Sequence, residues 1–212
     1  MSTPPAAVAA IVNGRAVPVA RVTERAMATA PPPATASWAG RERAVRQHRR
    51  WTAQVIVAEE VVSQECRRLG LDTDDNAPAY DEDWYADVGG ITAAVLHSCA
   101  AARALVSHLA STQNVTEAET YDYYRRNPDR FLTAEALRGG VDPFALARPD
   151  GVAVRHLYPY PEMRAGIEDY LRQTKARRAF VCWLDEQRRS VVLMPGYEHP
   201  GDPAQPDAEH RH

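Results

Sequence analysis

Residues 8–19 read VAAIVNGRAVPV, and this stretch decides the fold. Asn13 and Gly14 lie between two runs of apolar residues, and both central residues of a type I′ turn need the positive φ that Asn and Gly adopt readily. The stretch therefore predicts a β-hairpin. Pro18 cannot donate a ladder hydrogen bond, so its strand should lie at the edge of a sheet.

A second apolar strand is predicted near the other end of the chain, where residues 190–193 read SVVL. A two-stranded hairpin is only marginally stable alone, and this third strand would complete a sheet. The segments between them have mostly helical patterns. We therefore predict a mainly α fold, in which a helical domain is closed by a small β-sheet formed from the N-terminal hairpin and a C-terminal strand.

The charge and composition of the chain exclude several classes of protein. The 212 residues carry a net charge of -3, with 45% hydrophobic residues, which is ordinary for a globular protein. The basic residues between positions 41 and 50 share their predicted helix with glutamates, so they indicate a solvated helix face. No nucleic-acid partner is expected. No run of 18 apolar residues and no signal-peptide pattern occurs, so we expect a cytoplasmic protein without a membrane partner.

Hydrophobic periodicity predicts five helices, and the longest of them should be the spine of the fold. It runs from residue 37 to residue 69, and Gly70 follows it as a left-handed C-terminal residue. Thr116 and Glu119 have the spacing of a capping box, which starts a later helix. The predicted helices cover residues 21–29, 37–69, 90–112, 116–127 and 161–189. Three cysteines, Cys66, Cys99 and Cys182, lie within helical patterns and are expected to be buried free thiols.

Aromatic side chains are the candidate ligand-binding residues. Tyr121 and Tyr124 lie three positions apart on one helix face, a spacing typical of a helix-packing surface as well as of a ligand site. Trp84 lies in an acidic and aromatic segment, residues 72–87, which lacks the spacing of an EF-hand and is interpreted as a surface loop. Trp51 lies on the predicted long helix. Such rings supply contact area for a partner.

Four short motifs occur in an order that is also found in a known family. They are the hairpin at residues 10–17, the stretch VTEAE at 115–119 continuing to Tyr124 and Phe131, the phrase VRHL at 154–157, and Trp183-Leu184 leading into the last strand. In this order the chain resembles the SurA and PrsA type of parvulin foldase. The resemblance implies a helical chaperone domain, closed by its terminal segments, with an inserted prolyl isomerase domain.

The chain departs from this family in the isomerase insert. A parvulin insert has roughly 90 residues and a second histidine near its end, whereas His156 is the sole histidine between Phe131 and Ala179. The resemblance therefore implies a SurA-like helical domain at residues 1–194, with residues 139–161 as a remnant of the insert and without a complete isomerase site. His156 is the candidate catalytic residue. Residues 195–212 form a separate tail rich in Pro, His and Asp.

The tail contains the candidate metal ligands. Imidazole and carboxylate groups together suit Zn, Fe or Mn, and we take His199, Asp202 and His210 as the candidate ligand set. Prolines at 195, 200, 203 and 206 would stiffen the segment and lower the entropy cost of presenting ligands. A polar tail without any ligand would have the same composition. A divalent metal is therefore a possible cofactor, and the alternative is none.

Two classes of function follow. The first is an intracellular chaperone-like protein whose helices hold an extended peptide or a partner protein. The second is a metal-dependent enzyme, such as an isomerase, cyclase or hydrolase, in which the same scaffold holds a small-molecule substrate and the tail supplies the metal site. Order in residues 195–212, with histidines that converge, would favour the enzyme. A mobile tail would favour the peptide-binding protein.

Overall fold

The fold is described from a computed structural model of the chain, which covers residues 7–29, 38–73, 80, 84–85, 88–143 and 154–202. These residues belong to two compact units. Unit 1 comprises residues 1–107 and 180–212, and unit 2 comprises residues 108–179. Among the described residues the fold is mainly helical with one small antiparallel sheet, as the sequence predicts.

The sheet joins the two ends of unit 1. Strands β1 (Val8–Val12) and β2 (Arg15–Pro18) form the hairpin, and β3 (Val192–Leu193) pairs with the other side of β1, so the order is β2-β1-β3. Asn13 and Gly14 have φ values of 47° and 80°, which are the positive values of a type I′ turn. Both the hairpin and the closing strand are confirmed, and Pro18 ends the edge strand β2.

Four helical segments of unit 1 lie between the hairpin and unit 2 in the chain. Helix α1 (Val19–Ala28) follows β2 directly, and α2 (Trp38–Leu69) is the predicted long helix, ending before Gly70 at φ 66°. Helix α3 (Gly90–Ser98) and the first half of α4 (Ala100–Thr112) follow. Residues 52–62 of α2 are all buried, so both faces of its middle section contact other parts of the unit. Burial on all sides identifies α2 as the central element of unit 1.

The prediction of a single helix over residues 90–112 is wrong. The helix is interrupted at Cys99, and the two helices on either side of it are bent by 100° relative to each other. Cys99 has φ -117° and ψ 108°, which is extended backbone. The buried guanidinium of Arg103 donates to the carbonyl oxygens of Leu96 and His97, at 3.2 and 3.1 Å. These hydrogen bonds replace those that the backbone of a continuous helix would make to the same carbonyl groups. Hydrophobic periodicity cannot reveal such a side-chain contact.

The three cysteines are free thiols, as predicted, but they are not all buried. Cys66 is buried and Cys99 is half-buried, whereas Cys182 is exposed on the solvent side of its helix. Burial is the main cause that raises the pKa of Cys66 to about 11. The thiol also donates to the carbonyl oxygen of Ala101 at 3.2 Å, so Cys66 is a packing residue and not a nucleophile.

Two adjacent carboxylates of α2 bind the hairpin and α1 to this helix. The Glu60 carboxylate is 3.1 Å from Arg15 of β2, and Arg25 of α1 is 3.1 Å from the Glu59 carboxylate. Arg21 contacts both acids, at 3.7 and 3.3 Å. Both carboxylates are buried, while the arginines reach solvent. The charges of the pair are thus compensated from two neighbouring elements, as buried ions require.

The environment of Glu60 favours its ionised form. Burial alone would raise the pKa of this carboxyl, but the hydrogen bond from Gln64 and the guanidinium groups of Arg15 and Arg21 outweigh it and lower the pKa. A carboxyl whose pKa is lower in the folded chain stabilises the fold above its unfolded pKa. That contribution is lost as the pH falls through the folded-state pKa.

The described residues of unit 2 contain the end of α4, three further helical segments and two 3-10 turns. Helix α5 (Glu117–Arg126) begins with the predicted capping box of Thr116 and Glu119, and α6 is short (Ala134–Arg138). The 3-10 turns are Pro128–Phe131 and Val154–His156, and α7 (Tyr160–Arg188) begins in this unit. A single antiparallel bridge joins Leu132 to Leu157.

His156 lies on the second 3-10 turn and not in a strand, and its carbonyl oxygen accepts from the backbone N–H of Thr133 at 2.9 Å. The bridge at Leu157 is one residue long, because the chain turns on both sides of it.

No single helix of the described residues is long and apolar enough to cross a membrane. One pair, α3 with α4, would be so by length and composition but is bent by 100°.

We predict that Glu60→Gln lowers the free energy of unfolding at pH 7 by about 2 kcal/mol, because three arginines lose a buried anionic partner. Urea unfolding at pH 7 and pH 4 measures this. The difference from the parent protein should shrink at the lower pH, because Glu60 of the unfolded parent takes up a proton near its ordinary pKa, whereas the folded state, in which the pKa is lower, resists protonation. Glu42→Gln is the matched control; its exposed ion pair with Arg46 should contribute less than about 0.5 kcal/mol. Equal effects of the two variants would contradict the prediction.

Candidate functional site

Aromatic rings of unit 2 contact one another in series, and we call this series the tyrosine ladder. Helix α5 supplies three of its rings, the following 3-10 turn supplies one, and the first half of α7 supplies two. Neighbouring rings in the series have centroid distances between 4.9 and 6.3 Å. In order, the rings are Tyr121, Tyr160, Tyr124, Phe131, Tyr123 and Tyr170.

The two ends of the ladder are exposed, and its middle is packed. Tyr121 is 51% exposed and Tyr170 is 41% exposed, while Phe131 is buried. Tyr121 meets Tyr160 edge to face at 5.2 Å, and Tyr124 packs on Phe131 at 4.9 Å. Such offset and edge-to-face pairs are the favoured arrangements of aromatic rings. The ladder is therefore a pre-formed surface with a fixed base.

Hydroxyl groups fix the rings in place. The Tyr124 hydroxyl donates to the carbonyl oxygen of Tyr158 at 2.7 Å. The Tyr160 hydroxyl is 2.7 Å from the Glu117 carboxylate and 2.7 Å from the Thr120 hydroxyl. These contacts use side chains of α5 and the start of α7, so the local sequence of both helices sets the geometry. The entropy cost of ordering these rings therefore arises during folding, before any ligand binds.

Arg130 lies at the Tyr170 end of the ladder. Its guanidinium carbon is 5.3 Å from the centre of the Tyr170 ring and 6.0 Å from that of Tyr123, which are cation–π distances. Burial and the hydrogen bond to Tyr170 raise the pKa of Tyr123 to about 12. Burial would also raise the pKa of Tyr170, but hydrogen bonds from Tyr123 and Arg130 and the Arg130 charge lower it. The two phenols therefore have different roles, with Tyr123 the donor and Tyr170 the acceptor.

Sequence reasoning found part of this surface. Tyr121 and Tyr124 are both in the ladder, and the expectation of a shared helix face agrees with their common contact with Tyr160. It missed Tyr170 and Arg130, which come from separate elements. The aromatic density of LYPYP at residues 157–161 is a signal that could have identified Tyr160.

The predicted tryptophans lie in unit 1. Trp51 stacks on His48 at 6.2 Å, and Trp84 stacks on Tyr80 at 4.0 Å, with Tyr85 beside it. The structure therefore does not place either indole in the tyrosine ladder. Both are half-buried, so they pack within their unit as well as reaching solvent. Most of the acidic segment around Trp84 falls outside the described residues.

His156 lies in unit 2, and its described contacts are structural. The ring nitrogen Nε2 is 3.2 Å from Nε of the adjacent Arg155, and the carbonyl oxygen holds Thr133. No described contact links this imidazole to a hydroxyl or thiol nucleophile. Its catalytic role remains a prediction.

The described part of the C-terminal tail packs against α2 in unit 1. Gln54 donates to the carbonyl oxygen of Tyr197 at 3.0 Å and accepts from Arg188 at 2.7 Å. Arg49 lies over the Tyr197 ring at 5.3 Å, and Arg50 is 3.9 Å from the Glu198 carboxylate. Residues 194–202 are thus held by side chains of the long helix.

The candidate metal ligands lie only partly within the described residues. His199 as a whole residue is exposed, but its imidazole is partly desolvated. This desolvation and the charge of Arg188 lower the pKa of His199, and the charge of Asp202 opposes them. Its Nδ1 accepts from the backbone N–H of Gly201 at 3.1 Å, and the N–H of Asp202 donates to the His199 carbonyl oxygen. His210 lies outside the described residues. Within the described ranges, no group of three potential ligands is close enough to hold a metal.

Unit 1 also has a cleft of about 630 Å³ beside the hairpin turn. Its polar groups are largely paired with one another: Asn13 donates to Gln64 at 3.0 Å, and Arg68 makes two contacts with Glu65, at 2.8 and 2.7 Å. The cleft therefore presents little uncompensated charge to a ligand. Its lining residues are Asn13, Val61, Gln64, Glu65, Arg68, Trp183 and Gln187.

Comparison with known proteins gives no relative: no protein-family model matches the chain, and neither the curated proteins nor the solved structures include a significant match.

We predict that Glu119 titrates at about pH 2, mainly because Lys175 contacts its carboxylate at 2.6 Å and Thr116 donates to it from both backbone and side chain. The Glu119 carboxylate of the capping box should therefore stay ionised until the pH falls towards that value. A ¹³C-detected NMR titration measures the midpoint. Lys175→Met should move the midpoint towards 4.5, and Arg126→Met, whose partner is Asp122, should not. An unchanged midpoint in Lys175→Met would show that the lysine is not the cause.

The metal hypothesis predicts near-stoichiometric Zn, Fe or Mn in untagged, chelator-washed protein after reloading, and its loss in a His199→Ala/His210→Ala double variant. Plasma mass spectrometry measures the metal. The two candidate ligands that the structure describes, His199 and Asp202, do not complete a metal site without a third. We therefore expect that His199→Ala alone and His210→Ala alone each abolish metal binding. A parent protein without metal after reloading would rule out the ligand set.

Proposed function

We propose that this protein is a chaperone-like binding protein that holds an extended peptide, or an extended segment of a partner protein, on the tyrosine ladder. The observation that carries the proposal is the unbroken series of six rings, joined by five ring contacts, with both ends open to solvent. Contiguous exposed aromatic surface is uncommon on proteins without a partner. The SurA-type resemblance points to the same class, without a complete prolyl isomerase site.

The chemistry of tyrosine suits a peptide of variable sequence. Each ring offers a large apolar face and a hydroxyl that can donate or accept, with few rotatable bonds to immobilise. Because the rings are already fixed by Phe131, Glu117 and Thr120, binding orders few side chains. Affinity would then depend on ring contacts more than on particular peptide side chains.

The spacing of the ladder also suits an extended chain. Alternate residues of a β-strand lie on one face at about 6.6 Å, from a rise of about 3.3 Å per residue. Ring centroids in the ladder are 4.9–6.3 Å apart. Side chains on one face of a peptide could therefore meet the solvent-reaching rings on either side of the buried Phe131.

A metal-dependent enzyme is the second hypothesis, and a specific observation favours it. Residues 194–202 are docked on α2 through Gln54, Arg49 and Arg50, so this part of the tail has the defined position that an enzyme would need. Against it, the described residues contain no convergent set of ligands. The metal measurement above therefore decides between the two hypotheses.

We predict that Tyr121→Ala and Tyr170→Ala each weaken binding of an unfolded client, such as reduced carboxymethylated α-lactalbumin, by about five- to tenfold, since one aromatic contact contributes about 1 kcal/mol or more. Fluorescence anisotropy of the labelled client measures the affinity. Both residues lie at the exposed ends, so the fold should be preserved, which circular dichroism checks.

Trp38→Ala is the matched control for this experiment, because Trp38 is an exposed aromatic residue of unit 1 outside the ladder. It should leave the affinity unchanged. Tyr121→Phe separates the ring from the hydroxyl and should retain most of the affinity. Equal loss in Trp38→Ala and Tyr121→Ala would mean that any exposed ring suffices, and absence of client binding by the parent protein would refute the proposal.

A further inference from the structure

The 3-10 turn after α5 places a cation on the ladder itself. Arg130 directly precedes Phe131, the buried base of the ladder, and the turn is held by the Asn127 side chain on the Tyr123 carbonyl oxygen at 2.7 Å. The N–H of Arg130 donates to the Asn127 carbonyl oxygen at 3.1 Å. The backbone at Arg130 is therefore fixed, and its exposed side chain lies along Tyr123 and Tyr170.

Four other cations of unit 2 are neutralised by carboxylates. Lys175 contacts Glu119 at 2.6 Å, Arg164 contacts Glu117 at 2.6 Å, and Arg126 contacts Asp122 at 3.0 Å. Arg172 is likewise paired with Glu168. These positive charges are already compensated within unit 2.

Arg130 differs from them in its partners. Its guanidinium faces two aromatic rings and their hydroxyls, and no carboxylate of the described residues forms an ion pair with it. Asp129, its neighbour in the chain, exerts a weak electrostatic effect only. A guanidinium has five N–H donors in a planar fork, so contacts with two phenol oxygens leave donors for a ligand.

We propose that Arg130 makes the tyrosine ladder selective for peptides that carry a carboxylate next to an apolar or aromatic residue. This inference rests on the proposed peptide-binding function. The rings would hold the apolar side chains, and the guanidinium fork would accept the carboxylate in a charge-assisted pair. The carboxylate could belong to an Asp or Glu side chain or to the end of a chain, since both present the same two oxygens.

Three fluorescein-labelled peptides distinguish these sources. The first is GSLYLDLSG with an amidated C-terminus. The second has the same sequence with Asn in place of Asp. The third is GSLYLN, which stops after that Asn and ends in a free carboxylate. Anisotropy with the full chain at low salt should show the first or the third binding about three- to fivefold more tightly than the second, the range of a solvent-exposed ion pair. The preference should decrease as salt is added.

Two variants test whether Arg130 is the cause. Arg130→Met should reduce the preference to about one while the neutral peptide keeps its affinity, and Arg130→Lys should retain part of it. Arg126→Met removes an equal charge from α5 and should leave the preference intact. Because the readout is a ratio between peptides, a general loss of stability would not imitate it.

The outcomes separate the two proposals. If all three peptides bind equally, or if the preference persists in Arg130→Met, carboxylate selectivity is refuted and peptide binding stands. If none binds, both proposals are refuted. A gain confined to the third peptide would assign the site to chain ends, and a gain confined to the first would assign it to acidic side chains.

Discussion

Two adjacent carboxylates inside the long helix α2 anchor most of unit 1. Glu59 and Glu60 are buried, and α2 itself supplies one cationic partner, Arg67, which contacts Glu60. Arg15 of the hairpin and Arg21 and Arg25 of α1 provide the rest. Removal of one partner of such a pair leaves a buried charge without compensation. The ion pairs therefore fix the positions of the hairpin and α1 on α2 in addition to attracting them. Ser98, at the end of α3, donates to Glu59 at 2.9 Å and connects a further element to the same acids.

Local signals in the sequence predicted the elements of the fold that depend on nearby residues. The Asn13-Gly14 turn and the capping box of Thr116 and Glu119 are confirmed because each is determined within four residues. The break at Cys99 was not predictable in this way, because the buried Arg103 side chain that satisfies the freed carbonyl groups lies in the next helix. The acid pair was also missed, since its partners come from three elements.

The candidate site shows the same division. Tyr121 and Tyr124 could be identified from their spacing on one helix, but Tyr170 and Arg130 join them only through tertiary packing. The tryptophans were grouped with the tyrosines because they share a chemistry, and the fold puts them in a different unit. A metal site would need His199, Asp202 and His210 to converge, and their separation along the chain carries no information about that. The candidate ligands His199 and Asp202 lie in one turn, while His210 lies outside the described residues.

The pairing of Ala10 with Leu193 has a consequence for synthesis of the protein. Strand β3 is synthesised only after the whole of unit 2, so the sheet cannot be completed until residues 108–179 have left the ribosome. Unit 2 is a continuous stretch of chain, whereas unit 1 is assembled from two segments separated by it. Contacts between residues so far apart in sequence form slowly, because closing the intervening loop costs entropy. We therefore expect unit 2 to acquire its structure first on the nascent chain, with the β1 edge left unpaired until the last strand arrives.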